Sequence, residues 1–328
     1  MSEGSAGLLL KAFLKGRVPP PGLIPEGLLY GFAGISSARS HLSGLTNIER
    51  LITTFCHREP DHVPCFPMIS GAGRRLTGVS YPEFSQKPEA AAEALLAGFD
   101  LIGGEAVVPM LDLSIEAADW GQTMVYPEHS TPHPDYADPL IKDVDGYERL
   151  KRIDFKKANR MQAMLETCRI LVREVGWKGL VSGFAFGPLG VLNMMRGANH
   201  LFRDCVNYPA KVLKAIEAIT EVAIEYVEAQ CDTGVQAVAL DTLFASWNGL
   251  SKELWEKIEG PFARELANAV RRRGCVVVVH NCGDGVYFDS QIRFMEPEVI
   301  TFAALPDDCR DRKELKQKYG DQVVLMGY

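Results

Sequence analysis

The sequence predicts an α/β protein with a (β/α)8 TIM-type barrel, and two observations support this fold class. Short, almost continuous apolar runs alternate with longer amphipathic stretches along most of the chain, which is typical of a parallel sheet covered by helices on both faces. No glycine-rich G-x-G-x-x-G turn follows the first predicted strand. That pattern favours a barrel over a dinucleotide-binding sheet.

Seven apolar runs are predicted as strands, and the stretches around them as helices. Thr46 and Glu49 have the spacing of a capping box, which predicts a helix from Asn47 to residue 57 at the start of the folded domain. The predicted strands cover residues 63–69, 99–108, 179–186, 235–240, 275–280, 299–305 and 323–326. The other predicted helices cover residues 87–97, 145–152, 156–175, 208–232, 251–273 and 311–318.

The two ends of the chain depart from this alternation. Residues 1–44 contain three consecutive prolines, scattered Gly and Ser and no sustained periodicity, so we predict a poorly ordered leader, with the barrel domain at 45–328. A closed barrel needs eight strands, and Tyr328 comes shortly after the seventh predicted strand. We therefore expect the barrel domain to lack its last β/α unit in this chain.

The composition argues against several classes of function. The 328 residues are 47% hydrophobic and 23% charged, with a net charge of -7. The sequence has neither a concentrated basic face for nucleic acid nor a run of ~20 apolar residues for a membrane span. Its eight cysteines are scattered, which is typical of reduced thiols. We expect a cytoplasmic enzyme that binds neither nucleic acid nor membrane.

The sharpest candidate for chemistry is a histidine–cysteine pair after a run of four valines. In a barrel the catalytic residues lie where the strands end, and side chains two residues apart on a strand point to the same side, as His280 and Cys282 would. An imidazole nitrogen and a thiolate suit Zn²⁺. The alternative is a polar strand end with a buried thiol and a hydrogen-bonded histidine. The candidates for a third ligand are Cys309, Glu105 and Asp241.

Charged residues near other strand ends are further candidates. Asp112 follows an apolar strand and a Val-Pro-Met turn, so we expect it over the barrel mouth as a proton handler, with Glu105 and Asp241 as similar candidates. Arg74 follows the first predicted strand and could bind an anion, although surface arginines are common there. Met194 is either a core residue or part of the pocket of a large flat cofactor.

Several motifs resemble the uroporphyrinogen decarboxylase superfamily, and they occur in the same order. They are TNIERL at 46–51, REPDHVP at 58–64, DLSIEA at 112–117, the segment from Gly-Pro at 187–188 to Met-Arg-Gly at 195–197, and Ala-Leu-Asp at 239–241. The resemblance covers residues 46–328 and implies a TIM-type barrel.

Two enzyme classes within that superfamily remain open. Uroporphyrinogen decarboxylases use an aspartate for the pyrrole nitrogens, which Asp112 matches, and arginines for the substrate carboxylates. Arg74 matches one of these arginines, whereas Ser70 stands at another arginine position and Asn193 at the position of an active-site tyrosine. A site without these two side chains is poorly equipped for a substrate with eight carboxylates.

The other class is similar to methylcobamide:coenzyme M methyltransferase, whose zinc motif resembles His280-x-Cys282. This resemblance implies zinc-dependent transfer of a methyl group from a methyl-corrinoid, carried by a small corrinoid protein, to a small thiol. The class has a third ligand, a cysteine near the C-terminus, but no cysteine follows Cys309 here. The alternatives are cofactor-free decarboxylation of a porphyrinogen and a non-catalytic tetrapyrrole- or corrinoid-binding remnant. The residues expected to contact the macrocycle are Ser70, Arg74, Gly187, Asn193 and Met194.

Overall fold

The computed structural model of the protein describes residues 19–176 and 178–327. In this part of the chain, six parallel strands that are neighbours in chain order form a sheet that curls into a half-barrel. The predicted fold class is confirmed, since this architecture is consistent with a TIM-type barrel. The strands are β1 (Ala106–Val107), β2 (Leu180–Phe186), β3 (Ala237–Asp241), β4 (Val276–Asn281), β5 (Val299–Phe302) and β6 (Val324–Met326).

The central strands form where the sequence has almost continuous apolar runs. Every residue of β2, β3 and β4 is buried, as expected for parallel strands that are covered on both faces. Four consecutive valines begin β4, and their β-branched side chains favour the extended backbone. In the ladder, Phe186 on β2 pairs with Asp241 on β3, and Asp241 pairs with His280 on β4. The C-terminal ends of these three strands therefore lie side by side.

Helices surround the sheet, and none of those described is long and apolar enough to cross a bilayer. A short hairpin, Met124–Val125 with His133–Pro134, lies outside the parallel sheet. The helices are α1 (Glu26–Ser40), α2 (Asn47–Phe55), α3 (Arg74–Thr77), α4 (Tyr81–Gln86), α5 (Pro88–Ile102), α6 (Ile115–Asp119), α7 (Gly146–Arg149), α8 (Asn159–Val175), α9 (Pro188–Arg196), α10 (Ala198–Asn207), α11 (Pro209–Asp232), α12 (Lys252–Ile258), α13 (Gly260–Arg272), α14 (Phe288–Met295) and α15 (Arg312–Tyr319).

Helix α2 begins at the predicted capping box. The Thr46 hydroxyl accepts a hydrogen bond from the Glu49 amide at 3.3 Å, and the Glu49 carboxylate accepts one from the Thr46 amide at 2.8 Å. These bonds satisfy two amides at the helix start that have no partner within the helix. The predicted helix at 251–273 is instead two helices, α12 and α13, because Pro261 lacks an amide to continue the first one.

Two predicted strand boundaries are wrong, and the second changes the site. Residues 63–69 form no strand, since Pro64 and Pro67 remove two backbone donors. The run at 99–108 divides between α5, which continues to Ile102, and β1, which begins only at Ala106. The strand therefore starts after Glu105 rather than before it.

The prediction of a poorly ordered leader is wrong for most of the described residues before 45. Helix α1 occupies Glu26–Ser40, and the Gly22 amide donates to the Gly274 carbonyl at 3.0 Å. Sequence periodicity does not predict this helix, because few of its residues are buried and the apolar Leu28 and Ile35 are exposed. Residues 1–18 of the predicted leader lie outside the described residues.

Candidate active site at the carboxyl edge of the sheet

The candidate site lies where β2, β3 and β4 end. The Gly187 amide, directly after β2, donates to the Asp241 carbonyl at 2.8 Å, and the Thr242 amide, directly after β3, donates to the His280 carbonyl at 3.1 Å. These bonds continue the parallel ladder to the edge of the sheet. Gly187, Asp241 and His280, three of the predicted site residues, therefore lie on adjacent strands at one edge, as expected for a barrel site.

His280 and Cys282 occupy this edge with different exposure. His280 is 8% exposed and its Nδ1 has no hydrogen-bond partner. Burial lowers the pKa of His280, which favours the neutral imidazole that can bind a metal ion. Cys282 is exposed, and partial burial of its thiol, together with the charge of Asp241, raises its pKa.

Asn281, the residue between His280 and Cys282, holds the loop that follows the neighbouring strand, β3. Its side-chain amide donates to the Thr242 carbonyl at 2.8 Å, and its side-chain oxygen accepts from the Gly283 amide at 2.8 Å. Because alternate residues of a strand point to opposite sides, this fully buried side chain points to the other side of β4 from His280. It joins the loop after β3 to the loop after β4.

Asp241 supplies a buried carboxyl group beside the pair. Its Oδ1 has no hydrogen-bond partner. Burial and the charges of Glu259 and Glu116 raise the pKa of Asp241 to about 8, although a hydrogen bond from the Leu243 backbone opposes this effect. At neutral pH the group is therefore mostly protonated, and it can donate as well as accept a hydrogen bond.

The donors at this edge fit a zinc ion by their chemistry. A buried imidazole nitrogen without a partner costs roughly 1–3 kcal/mol unless a ligand satisfies it. The nitrogen of His280, the sulfur of Cys282 and an oxygen of Asp241 are donor types that Zn²⁺ accepts. The donor atoms of these three residues do not all lie within 4.8 Å of one another. In the described part of the chain, that condition is met only by Asp289, Asp307 and Asp308.

Two buried glutamates that are not among the predicted site residues hold the turn between β2 and α9. Glu116 accepts a hydrogen bond from the Phe186 amide at 3.0 Å, and Glu259 accepts one from the Leu189 amide at 3.0 Å. Burial raises the pKa of each glutamate to about 7. A Cβ added at Gly187 would lie 2.7 Å from Glu259 Oε1, so the turn has no room for a side chain.

Asp112 is enclosed and paired within the protein, whereas the prediction was an accessible proton handler over the barrel mouth. Its side chain has no exposed surface, and one carboxylate oxygen accepts from Arg160 at 2.6 Å and from the Ser85 hydroxyl. The other oxygen accepts from the Ser114 amide at 2.8 Å. Both carboxylate oxygens therefore have partners within the protein. Arg160 on α8 compensates the buried negative charge.

Glu105 lies at the opposite edge of the sheet from the candidate site. It precedes β1, and its carboxylate accepts from Arg50 at 2.8 Å and from the Cys65 amide. Arg50 also pairs with Asp61 at 2.7 Å, which holds the pKa of Asp61 well below its usual range. The prediction that Glu105 lines the site is wrong, because the residue precedes its strand and lies in a buried charge network.

Ser70 and Arg74 lie in the segment that packs beside the end of β1. The Ser70 hydroxyl donates to the Met110 carbonyl at 2.8 Å. The Arg74 guanidinium lies 4.0 Å from the centre of the Tyr81 ring, and its Nε is buried without a hydrogen-bond partner. Arg74 is thus held by an aromatic ring rather than by a carboxylate.

Asn193 and Met194 lie on α9, the helix that begins at the Gly187 turn. The side-chain oxygen of Asn193 is buried without a partner, whereas Met194 is half-buried against the core. Cys309, the cysteine considered as a third ligand, is buried, and its thiol lies 3.5 Å from an Asp308 carboxylate oxygen. Burial and that carboxylate raise the pKa of Cys309 to about 11.

The chain is similar to two kinds of enzyme. A uroporphyrinogen decarboxylase of Syntrophotalea carbinolica is 28% identical over 218 residues, which are 64% of this chain and 61% of that protein. The chain thus spans about three fifths of that relative's length. The methylcobamide:CoM methyltransferase MtbA of Methanosarcina acetivorans is 23% identical over 239 residues, or 72% of this chain and 70% of that protein. MtaA, a methyltransferase of the same description from Methanosarcina barkeri, is 24% identical over 289 residues, which are 87% of this chain and 83% of that protein.

The fold and a family model agree with these similarities. A solved structure of a methyltransferase from Methanosarcina mazei matches with a TM-score of 0.71 at 21% identity, covering 86% of this chain and 82% of that one. This likeness bears on the fold. The model of the family described as uroporphyrinogen decarboxylase (URO-D) matches residues 46–328. The chain therefore belongs to the uroporphyrinogen decarboxylase (URO-D) family.

Proposed function

We propose that the protein is a zinc-dependent methyltransferase that moves a methyl group from a methyl-corrinoid, carried by a small corrinoid protein, to a small thiol. The observation that supports this function is the pairing of a buried His280 nitrogen that has no partner with the exposed thiol of Cys282, two residues later. Methylcobamide:CoM methyltransferases among the relatives favour the same reaction class.

His280 and Cys282 would hold the ion, and Asp241 would lie beside it. The chemistry that Zn²⁺ supplies in such a site is a lowered pKa of a bound thiol, which makes a thiolate available as a nucleophile at neutral pH. The protonated Asp241 carboxyl group can orient the acceptor by a hydrogen bond. Asn281 fixes both loops of the site, so these groups need little rearrangement when the substrates bind.

The second candidate function is decarboxylation of a uroporphyrinogen, which similarity to decarboxylases of that substrate favours. The contacts of Asp112 disfavour it. Its two carboxylate oxygens already accept hydrogen bonds from Arg160, Ser85 and Ser114, and its side chain has no exposed surface. A tetrapyrrole would have to displace Arg160 to reach this carboxylate.

The test is the zinc content of the protein purified without chelators, measured together with S-methylation of a thiol by methylcobalamin. We expect about one zinc per chain, loss of zinc and activity in Cys282→Ala, and retention of both in Cys65→Ala, a matched exposed cysteine at the other edge of the sheet. Folded protein without zinc would contradict the proposal. Decarboxylase activity that survives exhaustive chelation would support the second candidate.

A further inference from the structure

Trp247 is a large apolar side chain that lies exposed on the same face as the candidate metal site. It belongs to the loop after β3, and 66% of its surface is exposed. Trp120 and Trp255, the other two tryptophans that the structure describes, are buried. Tryptophan is highly buried on average, but single exposed apolar side chains are normal on protein surfaces. What distinguishes Trp247 is its place in the loop after β3, at the edge that carries the candidate metal site, where an exposed indole can contact a ligand.

The loop after β4 holds the indole ring in a defined position. A Cβ added at Gly285 would lie 2.5 Å from Cε2 and Cε3 of the ring, so the indole lies directly on the glycine backbone. Gly285 has a φ of 58°, which glycine adopts without strain. The Trp247 amide also donates to the Asp284 carbonyl at 3.0 Å, and the Asp284 amide donates to the side-chain oxygen of Asn248. One face of the ring is therefore fixed, and the exposed surface is preorganised.

The indole and the Cys282 thiol belong to one packed unit. Gly285 follows Cys282 by three residues in the same loop. A Cβ added at Gly283 would lie 2.8 Å from the Cβ of Ser246, so the two loops are in close contact next to Trp247. Asn281 joins the same loops by its side-chain hydrogen bonds. A ligand that covers the indole can therefore extend towards the thiol without a movement of either loop.

We propose that the exposed surface of Trp247 is a stacking surface for the corrin macrocycle of the methyl donor. This inference rests on the proposed function, because it assigns a contact to the donor of that reaction. A corrin is broad, conjugated and nearly planar, so it can cover an indole ring, whereas a small thiol cannot.

The experiment is a titration of the zinc-loaded protein with methylcobalamin alone, followed by the visible absorbance of the corrinoid. We expect Trp247→Ala to weaken binding by about tenfold, because it removes the stacking contact, and Trp247→Phe to keep most of the affinity. The matched control is Tyr30→Ala, which removes an aromatic side chain exposed to 44% on α1 and should leave the affinity unchanged. Zinc content and far-UV circular dichroism should be the same in all variants.

The outcomes separate this inference from the proposed function. Equal affinity of the unaltered protein and Trp247→Ala would overturn the stacking surface and leave the proposed reaction intact. No binding of methylcobalamin by the unaltered, zinc-containing protein would overturn the assigned donor, and the stacking surface with it. A loss of affinity for methylcobalamin in Trp247→Ala, with most of the affinity kept in Trp247→Phe, would support the inference.

Discussion

Replacement of Glu116 by glutamine should stabilise the protein at alkaline pH and have little effect at acid pH. The carboxyl group is fully buried, and burial raises its pKa from 4.5 to about 7. Glutamine keeps the oxygen that accepts from the Phe186 amide but never ionises. At 1.36 kcal/mol per pKa unit, the difference between these two pKa values corresponds to about 3 kcal/mol in the free energy of unfolding. A raised pKa in the folded state stabilises the protein below pH 4.5, and this contribution is lost as the pH rises through about 7.

The measurement is urea unfolding at pH 5 and pH 8, followed by circular dichroism, for the two proteins. We expect the free energy of unfolding of Glu116→Gln to exceed that of the unaltered protein by less than about 1 kcal/mol at pH 5 and by about 3 kcal/mol at pH 8. Glu93→Gln is the control, because Glu93 is an exposed glutamate on α5 and should give no such pH-dependent difference. A difference that is the same at both pH values would refute the reasoning, since it would show that Glu116 does not change its charge in the folded protein over this range.

Two further substitutions test buried contacts, one at the Asp112–Arg160 pair and one at the Gly187 turn of the candidate site. Arg160→Met leaves the Asp112 carboxylate buried without its counter-charge, so we expect a loss of roughly 3–5 kcal/mol in the free energy of unfolding, partly recovered when Asp112→Asn is added. A loss below about 1 kcal/mol in urea unfolding would show that the pair is not needed. Gly187→Ala places a Cβ 2.7 Å from Glu259 Oε1. We expect it to cost about 1–3 kcal/mol and to slow the proposed methyl transfer, whereas Gly34→Ala on α1, which meets nothing within 4 Å, should be neutral or stabilising. Equal thermal unfolding temperatures for the two alanine variants would contradict the tight turn.

The sequence predicts the placement of His280 and Asp241 at the strand ends because that placement is encoded over a few residues. Four valines followed by His280, Asn281 and Cys282 contain both the strand and the alternation of side-chain direction. The fold class follows from similarly local patterns, because each buried strand is a short apolar run. The sequence predicts Asp241 for the same reason, because it is the polar residue that ends such a run.

Glu105 shows how one boundary can reverse the place of a residue in the fold. The apolar run at 99–108 contains the last turn of α5 and then β1, and periodicity alone does not separate a helix end from a buried strand. When the strand is taken to begin at 99, Glu105 approaches its carboxyl end. With the strand at Ala106, the same glutamate precedes it and lies at the amino edge.

Glu116 and Glu259 could not be selected because their burial depends on distant residues. Each accepts a hydrogen bond from a backbone amide 70 positions away in the chain, Phe186 and Leu189 respectively. Within its own segment, either glutamate fits the polar face of a helix equally well. Asp112 is similar, since its partner Arg160 lies 48 positions later. Only the packed sheet and helices bring these groups together.

One buried charge network of the protein lies at the amino edge of the sheet, and the polar atoms of the candidate site lie at the carboxyl edge. Arg50, Asp61 and Glu105 satisfy one another at the amino edge, whereas His280 and Asp241 keep unpartnered atoms at the carboxyl edge. The seven residues of β2 span roughly 20 Å at about 3.3 Å per residue, and substitutions farther apart than ~10 Å have nearly additive effects. The chemistry of the protein can therefore be redesigned at one edge while any stability lost there is restored at the other.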